Sequence, residues 1–416
     1  MSGNAQLARA LAAGLLQADP NDPYALLIMT ASETQLGRPA EGRKAGRAAW
    51  VAARGLPDGL RYDIARYTAL AALQEGRVLP TQLWLRRALD VAPTSQARAQ
   101  TINDYKALRE KTRLRYAIDL SLTPSDNLND GASSKYLSID DWFVLGMLSG
   151  SAQALSGLRA DARVRLIYRL RESSTSQTSL GFGAAASRNF LSDEAKLLAP
   201  DLRGRDLDQS AAEFSITQDF LWPQSQHPIS TTLALGQIWQ AGTVAGPYLR
   251  MQLATPLLQR PEANVRVEMT AQRSWRSDST IDASAMSLEG QHQLGGGVFS
   301  WGMAISDVVG TGMNQSYNRG SASLGYKLDK PIGPVTLATN LTAGKSHYDI
   351  YRLLGAQVTK GRTDTQFDLS IDMTFPNIGV MGYAPTLSVS KVMTQSNISR
   401  FESNGLNISV GFTSQF

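Results

Sequence analysis

Several residue types and patterns are scarce or missing in this chain of 416 residues. It contains no cysteine, which excludes disulfide bonds and thiolate chemistry. Its three histidines, His227, His292 and His347, have no spacing typical of metal ligands, so we predict no metal site and no cofactor. No apolar run reaches the roughly 18–20 residues of a membrane-spanning helix. The first 19 residues lack a basic segment followed by an apolar core, so they predict no signal peptide.

Charge is distributed unevenly along the chain. Residues 1–113 contain 16 basic and 10 acidic side chains, whereas the remainder contains 25 basic and 26 acidic ones. The arginines of the first part are scattered over predicted helices, without a basic run and without interleaved aromatic residues. This pattern indicates a solvated helical surface, and we expect no nucleic-acid partner.

Residues 1–110 have the spacing of helices, as at Leu7, Leu11 and Leu15. Three similar segments precede a proline at intervals of 37 and 36 residues: Pro20, Pro57 and Pro93. Gly37 and Gly76, between these prolines, each predict a helix end. A helix–turn–helix unit of this period resembles a tetratricopeptide repeat, with an ordinary helical bundle as the alternative. Ala48 and Ala88 are the residues expected where paired helices approach closely.

From about Thr112 the hydrophobic period changes from 3.6 to 2. In one segment, the apolar residues from Leu158 to Leu170 alternate with a face that contains five arginines: Arg159, Arg163, Arg165, Arg169 and Arg171. At the end of the chain, apolar residues from Leu406 to Phe416 alternate with small polar ones. An arginine at the midplane of a bilayer costs about 2–4 kcal/mol, so a charged face of this kind belongs in the lumen of a barrel.

Fourteen such segments lie between residues 111 and 416. They predict an α+β multidomain protein, in which TPR-like helical repeats (1–110) precede an antiparallel 14-stranded transmembrane β-barrel (111–416). Short connections rich in proline or glycine mostly alternate with longer polar ones, as in outer-membrane barrels. An even number of strands places both ends of the barrel chain on the periplasmic side. We therefore expect an outer-membrane protein whose N-terminal domain is periplasmic. The alternative, a soluble β-sandwich, explains fewer of these strands.

Three features together resemble the surface lipoprotein assembly modulators, the Slam family. They are the helical repeats, the segment Ser125–Asn129 after the first strand, and an ending in which Ser396–Ile398 precedes Gly411-Phe412 and Phe416. The resemblance implies a periplasmic repeat domain, a fourteen-stranded outer-membrane barrel, and the delivery of lipoproteins or secreted proteins to the cell surface.

The sequence therefore predicts a translocon in which the repeats recruit a client and the barrel passes it. Its expected partners are outer-membrane lipid, a client lipoprotein or secreted protein, and the barrel-assembly machinery, and we expect a monomer. The alternative is an exopolysaccharide exporter of the repeat-plus-barrel type. We expect no enzyme, since no serine is placed beside a histidine by strand geometry.

The predicted substrate-binding residues are the five arginines of the second strand: Arg159, Arg163, Arg165, Arg169 and Arg171. They form either a structural ladder of ion pairs or a polar track for a translocating chain or an anion. Six carboxylates on other predicted inward faces are the expected partners: Glu213, Glu268, Glu289, Asp364, Asp368 and Asp372.

Overall fold

The computed structural model describes residues 4–140, 143–222 and 227–414. It divides into two compact units: the first ends at Thr112 and also includes the segment Asn377–Ala384, and the second begins at Arg113. Among the described residues, no helix combines the length and the apolar composition needed to span a membrane. Phe416, on which the prediction of the final strand partly depended, lies outside the described residues.

The first unit contains six helices. They are α1 (Ala5–Ala18), α2 (Pro23–Gln35), α3 (Pro39–Ala52), α4 (Asp58–Gln74), α5 (Val78–Asp90) and α6 (Ser95–Lys111). Side chains of Asn4, Asp22 and Thr94 accept hydrogen bonds from the first turns of α1, α2 and α6, which fixes where these helices begin. Gly37 and Gly76 follow α2 and α4 with φ of +76°, so the predicted helix ends at these glycines are confirmed.

Small residues set the close approach of α3 to its neighbours. Gly42, Gly46 and Ala49 are buried, and a Cβ atom on Gly46 would overlap the hydroxyl of Thr68 in α4. The sequence prediction was right for Ala88, which is fully buried, but wrong for Ala48, which is exposed. The buried residue is Ala49, one position later in the chain. Successive residues are about 100° apart around the helix axis, so Ala48 is exposed while Ala49 is buried.

The second unit is a closed barrel of fourteen antiparallel strands. The strands are β1 (Leu114–Ser125), β2 (Gly157–Glu172), β3 (Ser176–Leu191), β4 (Gln209–Leu221), β5 (Pro228–Gln240), β6 (Thr243–Arg260), β7 (Ala263–Trp275), β8 (Thr280–Leu294), β9 (Gly297–Gly310), β10 (Tyr317–Leu328), β11 (Thr336–Tyr348), β12 (Arg362–Thr374), β13 (Tyr383–Ser396) and β14 (Ser403–Ser414). Each strand pairs with its neighbours in sequence, and β1 pairs with β14 to close the barrel. The predicted fold class, a helical region followed by a 14-stranded antiparallel barrel, is confirmed.

The two faces of the barrel wall differ in chemistry. Glu213 of β4 accepts hydrogen bonds from Tyr248 and Arg250 of β6, across the intervening strand β5. Arg319 of β10 similarly reaches Gln366 of β12 across β11, at 3.1 Å. Side chains two strands apart converge on the concave side of a curved sheet, so this polar face is the lumen. The opposite face is apolar and at least half exposed at many positions, including Leu120, Phe214, Leu235, Met303, Leu324, Leu369 and Phe412.

The long connections meet at one end of the barrel, called here the loop end. The connection between β1 and β2 contains a small hairpin of two strands, Tyr136–Ile139 and Phe143–Met147, which the sequence analysis missed. Its Leu137 packs with Tyr351, Val358 and Ile398 of two other loops into a small hydrophobic core. A second core joins Leu128 and Leu155 of the same connection to the loop between β3 and β4, where helix α7 (Asp193–Leu198) lies.

Candidate functional site

The arginines of β2 are positioned by the pairing of this strand with β1 and β3. Arg163 lies between Asp119 of β1 and Ala185 of β3, and Arg165 lies between Ala117 and Gly183. These neighbours are on the lumen face, because the flanking residue Val164 is in register with Ile118 on the apolar exterior. The strand alternation therefore brings Arg163 and Arg165 to one polar wall of the lumen, as predicted.

Arg163 and Arg165 are exposed, and within the described part of the chain neither has an ion pair or a hydrogen bond. A cavity of about 260 Å³ lies beside Arg163, lined also by Asp119, Asp161 and Thr386. On the neighbouring strand β3, the lumen face beside these arginines has small residues at Gly181, Gly183 and Ala185. They leave the guanidinium groups accessible from the lumen. A free guanidinium presents five N–H donors, so this wall suits carboxylate, phosphate or peptide carbonyl groups.

Arg115 belongs to the same wall and was missed by the sequence analysis. It lies opposite Ile167 on the lumen face of β1 and, like Arg163 and Arg165, has no ion pair among the described residues. The signal was present in the sequence, because Arg115 alternates with the exterior residues Leu114 and Tyr116. The three arginines Arg115, Arg163 and Arg165 are called the basic wall below.

The other three predicted arginines have different environments. Arg159 lies 3.3 Å from Asp161 of its own strand, and Arg169 donates a 2.5 Å hydrogen bond to Glu172. The placement of Arg171 on the lumen face was wrong. A bulge at Leu170 shifts the register, so that Arg169 is opposite Ser179 whereas Arg171 is opposite Thr178, on the other face. An extra residue of this kind reverses the alternation beyond it, and alternation alone does not reveal it.

The predicted carboxylate partners of the β2 arginines were also wrong. Glu213 is 2.7 Å from Arg250, Glu268 is 3.1 Å from Arg266, and Asp364 is 2.5 Å from Arg362. Each of these pairs joins residues of the same strand or of strands two apart. The sequence showed which residues face inward, but the barrel curvature, which decides the distances between strands, is a property of the closed sheet.

Tyr248 and Glu213 depend on a glycine between them. A Cβ atom on Gly236 of β5 would overlap the ring of Tyr248, which lies across this strand with its hydroxyl 2.7 Å from Glu213. On β3, two strands away, a Cβ atom on Gly183 would meet no atom within 4 Å. The lumen wall thus contains one ordered polar cluster at β4–β6 and, across β3 from it, the open basic wall of β1 and β2.

His292 and His347 are on β8 and β11, whereas the basic wall is on β1 and β2. His347 contacts Thr363 at 2.8 Å and Asp349 at 3.0 Å near the loop end of β11. Among the residues that the structure describes, no three His, Asp or Glu side chains are grouped so that they could hold a metal ion.

Comparisons with known proteins returned structures only. No protein-family model and no curated protein sequence matches the chain. Matched solved structures include OmpT of Vibrio cholerae (7% identity, 72% of this chain and 97% of that one, TM-score 0.38). A second match is OccAB4 of Acinetobacter baumannii (7% identity, 72% of this chain and 98% of that one, TM-score 0.38). A third is an anion-selective porin from Comamonas acidovorans (10% identity, 72% of this chain and 98% of that one, TM-score 0.34).

The expectation that the chain is not an enzyme is corrected by this comparison. The matched structures include the outer-membrane protein OmpT, and a shared barrel at 7% identity gives no ground for separating enzymes from channels. A fold is a scaffold, and function depends on the residues placed on it. The matches describe outer-membrane barrels, and they assign this chain neither an activity nor a substrate.

Proposed function

We propose that this protein lies in the outer membrane and moves protein clients, namely surface lipoproteins or secreted proteins, across it. The observation that carries the proposal is the basic wall of the lumen. Three arginines without ion pairs among the described residues lie on the adjacent strands β1 and β2, and the small residues Ala185 and Gly183 of β3 lie beside Arg163 and Arg165. Leaving charged groups unpaired in a barrel is costly unless water or a ligand reaches them, so these arginines suit contact with a passing chain.

The exterior of the barrel supports a membrane location. Many of its large apolar side chains are at least half exposed, and every barrel strand is paired on both edges. A closed sheet satisfies its backbone hydrogen bonds internally, which a structure in hydrocarbon requires.

In this proposal the helical region is periplasmic and recruits the client. Helix α1 carries an exposed apolar stripe, because Leu7, Leu11 and Leu15 are 52–63% exposed on one helix face. Amphipathic faces of this kind bind extended or helical segments of partners. The stripe is therefore the surface where we expect a client to bind first.

The test replaces Arg163 and Arg165 with glutamine and measures the surface display of candidate clients encoded by neighbouring genes. Display is read from the protease accessibility of the client on intact cells, and barrel assembly is read from heat-resistant migration in gels. We expect the double variant R163Q/R165Q to assemble normally and to display less client. The matched variant R163K/R165K keeps the charge and should restore much of the display.

Two results would contradict the proposal. Normal display by assembled R163Q/R165Q would mean that the basic wall does not contact the client. Loss of surface polysaccharide, with client proteins displayed normally in the absence of this protein, would indicate the polysaccharide exporter instead.

A further inference from the structure

The exterior of the barrel contains a groove that the proposed lumen pathway does not use. It has a volume of about 710 Å³ and crosses the strands from β6 to β10. Small residues form its floor, namely Ala271, Ser284 and Gly320. Longer apolar side chains form its walls: Met251, Leu253, Met269, Met286 and Ile305.

The strand register places this groove on the apolar face. Met251, Ala271, Ser284 and Asp307 are paired in one continuous row across β6, β7, β8 and β9. This row is in the half of each strand that is nearer to the loop end, since β8 begins at Thr280 and β9 ends at Gly310. With the loop end outside the cell, the groove is at the level of the outer leaflet of the membrane.

The lining chemistry suits an acyl chain. Three of the five wall residues are methionines, whose unbranched side chains adapt to irregular apolar surfaces. The volume is within the roughly 300–1,000 Å³ of ordinary ligand pockets, so the groove is larger than a gap between packed side chains. Its walls are 40–65% exposed, so an occupant would remove substantial apolar surface from the surroundings.

The end of the groove nearer to the loop end determines which head group fits. Arg273 and Asp282 form an ion pair of 2.6 Å there, so their charges compensate each other. Asp307 has no ion pair among the described residues. Arg319 also lines the groove, but its guanidinium donates hydrogen bonds to Ser346 and Gln366 on the lumen face, which leaves one uncompensated negative charge on the exterior. A phosphate head group would be repelled by this carboxylate, whereas an uncharged head group would not.

We propose that this groove binds the acyl chains of a lipid-anchored client on its way to the outer leaflet. The anchor of such a client, an acylated diacylglyceryl cysteine, carries acyl chains without a phosphate, which fits the acidic end of the groove. The inference rests on the proposed function, because it assigns the lipid anchor of the client to a second surface of the same barrel.

The test uses a synthetic lipopeptide with an acylated diacylglyceryl cysteine and a photoreactive acyl chain. The purified full-length protein is irradiated with it in detergent micelles, and labelled peptides are identified by mass spectrometry. We expect labels on β6–β10. The variant Gly320→Leu fills the groove without a clash, since a Cβ atom there meets nothing within 4 Å. It should reduce labelling about tenfold, which corresponds to a loss of about 1.4 kcal/mol in binding free energy.

The control variant is Ala162→Leu, which adds the same side chain to the exterior of β2, away from the groove. It should leave labelling unchanged. Equal labelling of wild-type protein and Gly320→Leu would overturn the proposal. Labelling of the same strands by a photoreactive phosphatidylglycerol, at the level of the lipopeptide, would also overturn it, because the groove would then hold ordinary membrane lipid.

A failure of the groove and a failure of the proposed function give different results. In cells, Gly320→Leu should reduce the display of a lipidated client and spare a client whose lipidated cysteine is replaced. Equal display of both would count against the groove. If display does not need this protein at all while labelling of β6–β10 persists, the groove stands and the export function is wrong.

Discussion

The lumen wall at Gly236 has no room for a side chain, because the ring of Tyr248 covers it. We predict that Gly236→Ala displaces this ring and weakens its 2.7 Å hydrogen bond to Glu213, destabilising the barrel by about 1–3 kcal/mol, as is usual for overpacking. The measurement is the temperature at which the folded, fast-migrating form of the barrel is lost in gels.

Gly183 provides the matched control for this prediction. It is also a lumen-facing glycine of the barrel, but a Cβ atom there meets nothing within 4 Å. Gly183→Ala should therefore leave the melting temperature nearly unchanged. Equal destabilisation by both substitutions would show that the barrel tolerates no added methyl group on this face, and that the ring of Tyr248 is not the cause.

A second prediction at the residue scale concerns pH and the ion pair of the helical region. Arg43 donates a 2.5 Å hydrogen bond to Glu75, which holds the pKa of this carboxyl below its ordinary value of 4.5. A carboxyl whose pKa is lowered by folding stabilises the protein above its unfolded pKa, and this contribution is lost as the pH falls through the folded pKa. The helical region should therefore lose stability below about pH 4.5.

The variant Glu75→Gln should lower thermal stability at neutral pH and flatten its dependence on pH in the acid range. Helix melting is followed by circular dichroism at several pH values. Glu41→Gln is the control, because Glu41 is exposed and has no ion pair among the described residues. An unchanged acid slope in Glu75→Gln would mean that other carboxyls cause the acid sensitivity.

The residues of the basic wall show what alternation can and cannot predict. Arg163 and Arg165 face the lumen as the sequence indicates, since the period of two is fixed by strand geometry. Arg171 does not, because one bulge reverses the alternation. The free guanidinium groups were not predictable, because ion pairing depends on distances between strands that only closure of the barrel determines.

Among the elements, helix α3 depends on the absence of side chains. A Cβ atom on Gly42 would be 2.9 Å from the Thr30 carbonyl oxygen of α2 and would overlap the Thr34 hydroxyl. We predict that Gly42→Ala destabilises the helical region by about 1–3 kcal/mol, because the two helices must separate. The measurement is the helix melting temperature from circular dichroism.

Gly14→Ala in α1 is the matched control, since Gly14 is exposed and a Cβ atom there meets nothing within 4 Å. Alanine is the better helix former, so this variant should be more stable by about 0.5–1 kcal/mol. If Gly42→Ala is also stabilising, helix propensity outweighs the contact, and α2 and α3 do not pack as closely as described.

The strands were predictable as elements, and the loops were not. Each of the fourteen barrel strands overlaps one of the alternating segments of the sequence, although several strands are longer than their segment. The loop cores had no periodic signal, although the polar segments Ser125–Asn129 and Ser396–Ile398 singled out in the sequence reach into these loops. Asn129 accepts a hydrogen bond from the Leu155 amide and donates one to the Gln153 carbonyl oxygen. Asn397 donates a hydrogen bond to the Gly361 carbonyl oxygen and accepts one from the Thr363 amide. In this structure these asparagines order the loops rather than contact the basic wall.

For the whole molecule, each unit contains the partners that its own elements need. The barrel pairs every strand with two others, and the helices bury residues such as Ile64 and Leu89 against one another. We therefore predict that deleting residues 1–110 leaves a barrel that still folds and resists heat, because its hydrogen bonds close within the sheet. The same deletion should abolish client display, which is measured as protease accessibility of the client on intact cells.

A less drastic variant separates recruitment from any indirect effect of the deletion. Replacing Leu7, Leu11 and Leu15 with serine removes the exposed stripe of α1, and these side chains are too exposed for their loss to unfold the helices. Client display should then fall while helix melting and barrel assembly remain normal. If the stripe variant displays client normally and only the deletion fails, another surface of the helices recruits the client. If the truncated barrel itself displays client at the normal level, recruitment belongs to the barrel, and the division of roles between the two parts of the chain is wrong.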